Sequence, residues 1–387
     1  MRYCDSILGG LLKPISRRRF AAIVDDHDAD AYDKSFNSWD HLVTLIFAQI
    51  SGVDRLRTLE ALWNANEHHH YHLGVGALKR STLSDANARR PIAVFAETFA
   101  MLSGLADRVL RREGGEMLRL IDATPIPLHE LVTWAEWNGR TRGLKLHVVY
   151  DPASDQPRHI AITPATVNDV EVGQEVPIEA GATYIYDKAY CHYGWWTRLH
   201  EAGARFVTRQ KKNARYRAIC WRPVRKKKAD GFTVVDDATV KLVSKSGAKL
   251  AIPMRRVRIK RDDGTKMTLI TNDLDRSAVE IASLYKTRWQ IELLFRWIKQ
   301  HLKINKFLGR SQNAICLQLI AAMIAYLLLR LAARQNGITM PAIRFVELLA
   351  TRLFMRTHIA RIDKPPMLKP SRPQQPSSPN QMEFCYA

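Results

Sequence analysis

Cysteine is scarce in this sequence, and its few copies are scattered. The 387 residues include five cysteines, none of which belongs to a C-x-x-C pair. Scattered cysteines argue against a structural zinc module and against a disulfide framework. We therefore expect a protein of a reducing compartment, the cytoplasm. The five are Cys4, Cys191, Cys220, Cys316 and Cys385.

Long hydrophobic runs are also missing. The most apolar stretch, residues 316–332, contains Gln318 and Arg330 and falls short of the ~20 apolar residues that cross a bilayer. The apolar run near the N-terminus is too short and badly flanked for a signal peptide. We expect residues 316–332 to form a buried core helix, and we expect no membrane partner.

Acidic residues are outnumbered by basic ones. The sequence has 38 Asp and Glu against 59 Lys and Arg, a formal net charge of +21. Such an excess attracts polyanions, and without a membrane segment it favours nucleic acid as the partner. Ribosomal and chromatin proteins are equally basic, so charge indicates a partner and not a reaction. Hydrophobic residues make up 46% of the chain, which excludes a wholly disordered protein.

The first hundred residues have the pattern of short helices separated by turns. The last of these helices carries a basic cluster of Lys79, Arg80, Arg89 and Arg90. Helices in this arrangement are typical of a helix-turn-helix reader of DNA. A small helical bundle that only caps the next domain fits the same pattern, and both interpretations stay open.

From residue 117 the pattern changes to strands. Three strand-like segments at 117–124, 144–151 and 158–165 follow each other closely, as in an antiparallel meander. Two more, at 183–190 and 205–211, each come after a helical stretch. This order predicts an α/β fold of the ribonuclease H-like type, a mixed five-stranded sheet with helices. The alternating segments from about 210 to 268 predict a β-rich insertion into it, with Asp236 and Asp237 in a turn.

A strongly basic run leads into the insertion. Residues 205–228 contain eleven basic residues and no acidic one, interleaved with aromatic side chains. We interpret the run as a surface for the DNA backbone, with Arg209, Lys211 and Lys212 as candidate contacts, although such runs are often merely solvated. Trp221, inside the run, fits either stacking on an exposed base or anchoring the insertion.

The segment from 277 to 301 predicts one continuous helix with a special stripe. Tyr285, Arg288, Glu292 and Lys299 fall within about 60° of arc on a helix, beside an apolar stripe that should face the sheet. A carboxylate at the edge of the core, flanked by two cations and a phenol, favours a functional role for Glu292. The alternative is an ordinary salt-bridged helix face.

This Y-(2)-R-(3)-E-(6)-K spacing resembles the signature of the DDE transposases of the insertion-sequence-4 family. The segment LIDATPIPL, with Asp122, is similar to the first catalytic block of that family, and TYIYDKAY, with Asp187, to the second. Glu292 stands in the third. One departure is Lys188-Ala189, which stands between Asp187 and Tyr190 where many relatives have Arg-Gly. The likeness covers roughly residues 18 to 355, including a helical N-terminal domain found in one branch of the family.

The resemblance implies a metal-dependent DNA transposase. Asp122, Asp187 and Glu292 would be catalytic and would bind two Mg²⁺ ions, with Mn²⁺ as a substitute; carboxylate oxygens suit such ions. Tyr285, Arg288 and Lys299 would contact DNA phosphates.

The implied reaction is cut-and-paste transposition by a bacterial, nucleoid-associated protein. Its partners would be double-stranded DNA, both terminal inverted repeats and target, and a second copy of the chain in a synaptic homodimer. Two alternatives remain: a catalytically silent DNA-binding descendant, and a ribonuclease H-like nuclease without strand transfer.

The predicted domain organisation has three parts. A helical, DNA-binding domain spans 1–100, and a ribonuclease H-like catalytic domain spans 112–362 with its insertion at about 210–268. A tail rich in Pro, Ser and Gln, predicted to be disordered, spans 363–387.

Overall fold

The fold is described from a computed structural model. It describes residues 5–31, 33, 35–110, 116–130, 132–211, 213–224, 228–229, 231–243 and 252–364. The predicted disordered tail therefore lies almost entirely outside the described residues.

Seven α-helices precede the first strand in the described part of the chain. The third is held at both ends: Asn37 and Asp40 form a capping box at its start, and Gly52 closes it in the left-handed conformation with φ 71°. The last helix ends at Leu110, ten residues beyond the predicted boundary. The seven are α1 (Ile7–Leu12), α2 (Arg17–Asp26), α3 (Ser38–Ser51), α4 (Leu56–Asn64), α5 (His70–Leu73), α6 (Arg80–Arg89) and α7 (Ile92–Leu110).

The predicted mixed α/β fold is confirmed. Strand β1 pairs antiparallel with β2, which pairs antiparallel with β3, while β4 runs parallel to β1 and β5 parallel to β4. Helices α8 and α9 occupy the connections into β4 and β5. This is the ribonuclease H-like order. The elements are β1 (Leu118–Pro127), β2 (Gly143–Asp151), β3 (Gln156–Pro164), α8 (Asp169–Glu175), β4 (Thr183–Tyr186), α9 (Tyr193–Glu201) and β5 (Arg205–Arg209).

The inserted strands extend this sheet beyond β5. Strand β10 pairs antiparallel with β5, and the described strands form one ten-stranded sheet in the order β3-β2-β1-β4-β5-β10-β9-β8-β6, with β7 beside β8. Asp236 and Asp237 lie within β8, so their predicted place in a turn is wrong; both pair with arginines of β9. The inserted strands are β6 (Arg215–Trp221), β7 (Lys228–Ala229), β8 (Phe232–Val243), β9 (Met254–Arg261) and β10 (Lys266–Thr271).

Four helices follow the sheet: α10 (Ala278–Thr287), α11 (Trp289–His301), α12 (Gln312–Gln335) and α13 (Ala342–Arg352). Among the described residues, only α12 is long and apolar enough to cross a membrane, but 94% of its most apolar window is buried inside the protein. The prediction of a buried core helix at 316–332 is therefore confirmed.

Helix α12 lies at the centre of the helical packing. Helices α3, α6 and α7 pack against it, and α7 also packs on β3. The N-terminal helices, β1 to β3 and α10 to α13 contribute to one continuous apolar core, while α9 and the opposite face of the sheet form a second. The sheet is thus covered by helices on both faces, which fixes the position of the strand ends.

Candidate active site

Two of the predicted carboxylates lie side by side on neighbouring strands. In the parallel pair of β1 and β4, Ile121 is opposite Tyr186. The next residues along the two strands are Asp122 and Asp187, and Asp187 directly follows the end of β4. Because the strands run parallel, both side chains emerge at the same level of the sheet.

The third carboxylate is brought in by a helix. Helix α11 packs on β1 and carries Glu292 in its first turn. An anion in the first turn of a helix is stabilised by the positive end of the helix dipole. Helix α10 packs on β4, β5, β8 and β9, so the inserted strands help to support the segment that leads to Glu292.

The prediction of one continuous helix from 277 to 301 is wrong, because the helix is interrupted at Arg288. Helix α10 begins at a capping box of Ser277 with Glu280 and ends at Thr287, and α11 starts at Trp289. At the junction, the Arg288 amide donates to the Tyr285 carbonyl and the Ile291 amide donates to the Arg288 carbonyl, both at 3.2 Å. These bonds span three residues, the tighter 3₁₀ pattern that marks a local break.

The Arg288 side chain joins two of the carboxylates. Its Nη1 lies 3.2 Å from Oδ2 of Asp122, and its Nη2 lies 2.5 Å from Oε1 of Glu292. The guanidinium is largely buried, with its side chain 19% exposed. The ion pair between Arg288 and Glu292, which was the alternative interpretation of the stripe, is therefore present and is extended to Asp122.

Asp187, the carboxylate that Arg288 does not contact, has different neighbours. The Tyr285 hydroxyl donates to Oδ1 of Asp187 at 3.3 Å, and Nη1 of Arg209, at the end of β5, lies 4.0 Å from the same oxygen. Arg288 in turn lies beside the Tyr285 ring, with 5.9 Å from its Cζ to the ring centroid. Tyr285 and Arg288 thus link all three carboxylates into one cluster.

Burial sets the electrostatics of Asp122. It raises the pKa of this carboxyl to about 6, opposed by the Ala123 amide and by Arg288 and assisted by the charges of Glu292 and Asp187. The Ala123 amide donates to Oδ1 of Asp122 at 2.9 Å. Burial likewise raises the pKa of the Tyr285 hydroxyl, which remains a neutral donor.

The donor set suits a divalent cation. Carboxylate oxygens are the ligands that Mg²⁺ and Mn²⁺ prefer, and a cationic guanidinium already lies between two of them. Within the described ranges, no three His, Cys, Asp or Glu side chains lie close enough to share one metal ion. The guanidinium of Arg288 hydrogen-bonds to both Asp122 and Glu292.

Two of the other predicted DNA contacts, Lys299 and Lys211, belong to the described residues. Lys299 is half-buried two turns after Glu292, and burial lowers its pKa. The Lys211 ammonium donates a hydrogen bond to the Cys191 carbonyl at 3.2 Å. Cys191 follows Asp187 closely in the sequence. Lys212 lies outside the described residues.

The basic run continues along an exposed edge of the sheet. Every residue of β6 is exposed, and β6 is the outermost strand on its side of the sheet. Trp221 is 59% exposed, so it does not act as a buried anchor; Arg256 lies between it and Tyr216, 5.7 Å and 4.5 Å from the two ring centroids.

Sequence reasoning missed the contact of Arg288 with Asp122. Arg288 and Glu292 are four residues apart, a spacing that signals an ion pair on a helix. No such signal exists for Asp122, which is 166 residues away. His147 was missed as well: it lies opposite Ala123 on β2, and its ring nitrogens contact Thr163 and Tyr190 beneath the cluster.

Comparison with known proteins places this cluster in a family context. Residues 113–328 match the family described as Transposase DDE domain, and residues 3–76 match a domain of unknown function, DUF4372. The match of the first family covers Asp122, Asp187 and Glu292.

Two relatives over most of this chain carry transposase names. Transposase y4zB of Sinorhizobium fredii is 60% identical over 79% of this chain and 85% of its own length. The transposase for insertion sequence element IS5377 of Geobacillus stearothermophilus is 30% identical over 71% of this chain and 74% of its own length. Among solved structures, a piggyBac transposase synaptic complex with hairpin DNA aligns with 95% of this chain and 84% of that chain at 10% identity, with a TM-score of 0.49.

Proposed function

The chain belongs to the family of transposases with a DDE domain, and we propose that it cuts DNA at the ends of an insertion sequence and joins them to target DNA at one catalytic site. The observation that carries this proposal is the cluster itself. Two aspartates emerge side by side from parallel strands, and a glutamate on a helix over the same sheet is joined to them through Arg288 and Tyr285.

We assign the catalytic role to Asp122, Asp187 and Glu292. Two Mg²⁺ ions, when bound there, would activate the attacking oxygen and stabilise the leaving oxygen of a phosphodiester. The three side chains supply oxygen ligands and fix where the scissile phosphate must lie. The same site would serve twice, first for hydrolysis at the end of the element and then for attack by the released 3′-hydroxyl on target DNA.

The neighbouring side chains would bind the DNA backbone. Arg288 offers a planar fork that matches a phosphate, whereas Lys299 offers a point charge. Tyr285 would hold Asp187 in place through its hydroxyl and would also contact the phosphate. The half-buried Arg209 and the exposed Lys211 would extend the positive surface from the cluster toward β6. Because these contacts release counterions, DNA binding should weaken steeply with salt.

The proposed reaction implies which partners the protein binds and where in the cell it acts. Both ends of an element must be held together, so we propose a homodimer on double-stranded DNA that carries terminal inverted repeats. A protein that acts on bacterial DNA would work in the cytoplasm, at the nucleoid.

The test is strand transfer in a defined mixture of purified protein, Mg²⁺ and a donor duplex ending in the terminal repeats that flank the gene. The wild type should join donor ends to a target plasmid, and Asp122→Asn, Asp187→Asn and Glu292→Gln should each abolish joining. Asp263→Asn, in the exposed turn between β9 and β10, is the matched control and should retain full activity.

Other outcomes would replace the proposal. Cleavage without joining would indicate a nuclease, and DNA binding without cleavage would indicate a silent descendant of a transposase. Full activity of Glu292→Gln would refute the assignment of the third carboxylate.

A further inference from the structure

Arg288 occupies the space between two proposed metal ligands, and the inference drawn from this placement rests on the proposed function. Its two terminal nitrogens contact Asp122 at 3.2 Å and Glu292 at 2.5 Å. A guanidinium is rigid and planar, so one that bonds to two carboxylates with different nitrogens also sets the distance between them.

The oxygens that Arg288 contacts are the ones that a shared ion would need. A divalent cation of the Mg²⁺ type binds carboxylate oxygens at about 2.1 Å, and Oδ2 of Asp122 and Oε1 of Glu292 already accept hydrogen bonds from the guanidinium. In the described part of the chain, no three candidate ligands are close enough for one ion. An ion that binds either of these two oxygens would therefore compete with a bond to Arg288.

The surroundings of the Arg288 guanidinium favour an exchange of its carboxylate acceptors for a phosphate. Its Nε is buried and has no hydrogen-bond acceptor among the described residues. A phosphate offers several anionic oxygens in bidentate geometry, and two carboxylates shared by one guanidinium do not.

We propose that Arg288 is a built-in competitor of the divalent cation: in the DNA-free protein it closes the carboxylate cluster, and a DNA phosphate that takes its guanidinium opens the cluster for the ion. The protein would then bind its metal weakly until DNA is in place. Because linkage is reciprocal, metal would also strengthen the binding of the phosphate by the same factor.

The experiment measures metal binding rather than activity. Metal-free, full-length protein is titrated with Mn²⁺, and the free ion is followed by its electron paramagnetic resonance signal. The variants are Arg288→Gln, which removes the charge, and Arg288→Lys, which keeps the charge but cannot bond both carboxylates as a fork. Arg296→Gln, an exposed cation on the same helix, controls for the loss of one positive charge. Thermal unfolding checks that each variant is folded.

We expect both Arg288 variants to bind Mn²⁺ about 10-fold more tightly than the wild type without DNA, because the ion no longer displaces charge-assisted hydrogen bonds. Arg296→Gln should match the wild type. A saturating concentration of a short duplex of mixed sequence should reduce the difference in Mn²⁺ affinity between the wild type and the Arg288 variants, because the wild-type guanidinium then has phosphates as partners.

Three results would overturn the proposal, and they are distinguishable. Equal Mn²⁺ affinity in all four proteins would refute the competition but leave the metal site intact. Tighter binding by Arg288→Gln alone would mean that charge and not bridging governs the site. No Mn²⁺ binding by any of the four would remove the metal site itself, and the proposed catalytic function with it.

Discussion

Gly173 has no room for a side chain, and its replacement should disturb the segment that carries Asp187. A Cβ added at Gly173, in α8, would lie 2.7 Å from Cδ1 of the Tyr190 ring. Tyr190 is 1% exposed and belongs to the short 3₁₀ turn that directly follows Asp187, where its amide donates to the Asp187 carbonyl at 3.1 Å. The ring therefore has to shift, and the turn shifts with it.

The magnitude follows from two opposing effects. Overpacking a buried site costs about 1–3 kcal/mol, while alanine is favoured over glycine inside a helix by about 0.5–1 kcal/mol. We expect Gly173→Ala to lower the free energy of unfolding by about 1–2 kcal/mol. Because displaced reacting groups lose rate steeply, DNA cleavage should fall by about 10-fold even where the variant is fully folded.

The assay combines urea unfolding with single-turnover cleavage of the donor duplex. Gly104→Ala is the matched control, since Gly104 also lies inside a helix but a Cβ there would meet no atom within 4 Å. The control should be equally or more stable and fully active. If Gly173→Ala behaves like Gly104→Ala in both measurements, then the packing of Tyr190 does not position Asp187.

Two further predictions concern stability. Asp237→Ala should lower the free energy of unfolding in urea by about 3–5 kcal/mol, because the charge of Arg255 stays buried without the carboxylate that it contacts at 2.6 Å and 2.9 Å. Replacing Asp237 with Leu and Arg255 with Met together should cost less stability. Equal losses in the single and the double variant would contradict this reasoning. His41 is fully buried, and burial, together with the charge of Arg90, lowers its pKa to about 3. The unfolded chain therefore takes up the proton first, and stability falls as the pH drops below about 6.5, by about 2 kcal/mol at pH 5. In urea titrations over this pH range, the free energy of unfolding of His41→Gln should no longer show that fall. If the variant and the wild type lose stability equally as the pH drops, the burial of a neutral His41 is not the cause.

The order of the core strands could be predicted because each strand is an apolar run bounded by turns. β1 to β5 all appear close to the segments where the sequence pattern predicts them. Short connections favour the pairing of β1 to β3, and the helical connections before β4 and β5 are typical of parallel neighbours. The extension of the sheet could not be predicted in the same way. Which edge β10 would join depends on the uncovered side of β5, a property of the assembled sheet and not of the sequence of β10.

The helix break and the buried aspartate show where local patterns fail. The spacing of Tyr285, Arg288 and Glu292 is that of a regular helix, but Arg288 bonds to Asp122 on a distant strand, and the helix ends there. Asp237 has the chemistry of a turn residue, yet it lies inside β8, where it pairs with Arg255 from β9. In both cases the departure from the local pattern coincides with a long-range ion pair, which the spacing of residues in the sequence does not predict.

The central claim is that Asp122, Asp187 and Glu292 form one metal site. Its most direct test is to load the protein with Fe²⁺ in place of Mg²⁺ in the presence of DNA, add ascorbate and peroxide, and map where hydroxyl radicals cut the polypeptide. The claim predicts cuts near residues 122, 187 and 292 together, and the loss of all three in Asp187→Asn. Cuts confined to other segments, or a pattern that Asp187→Asn leaves unchanged, would contradict it.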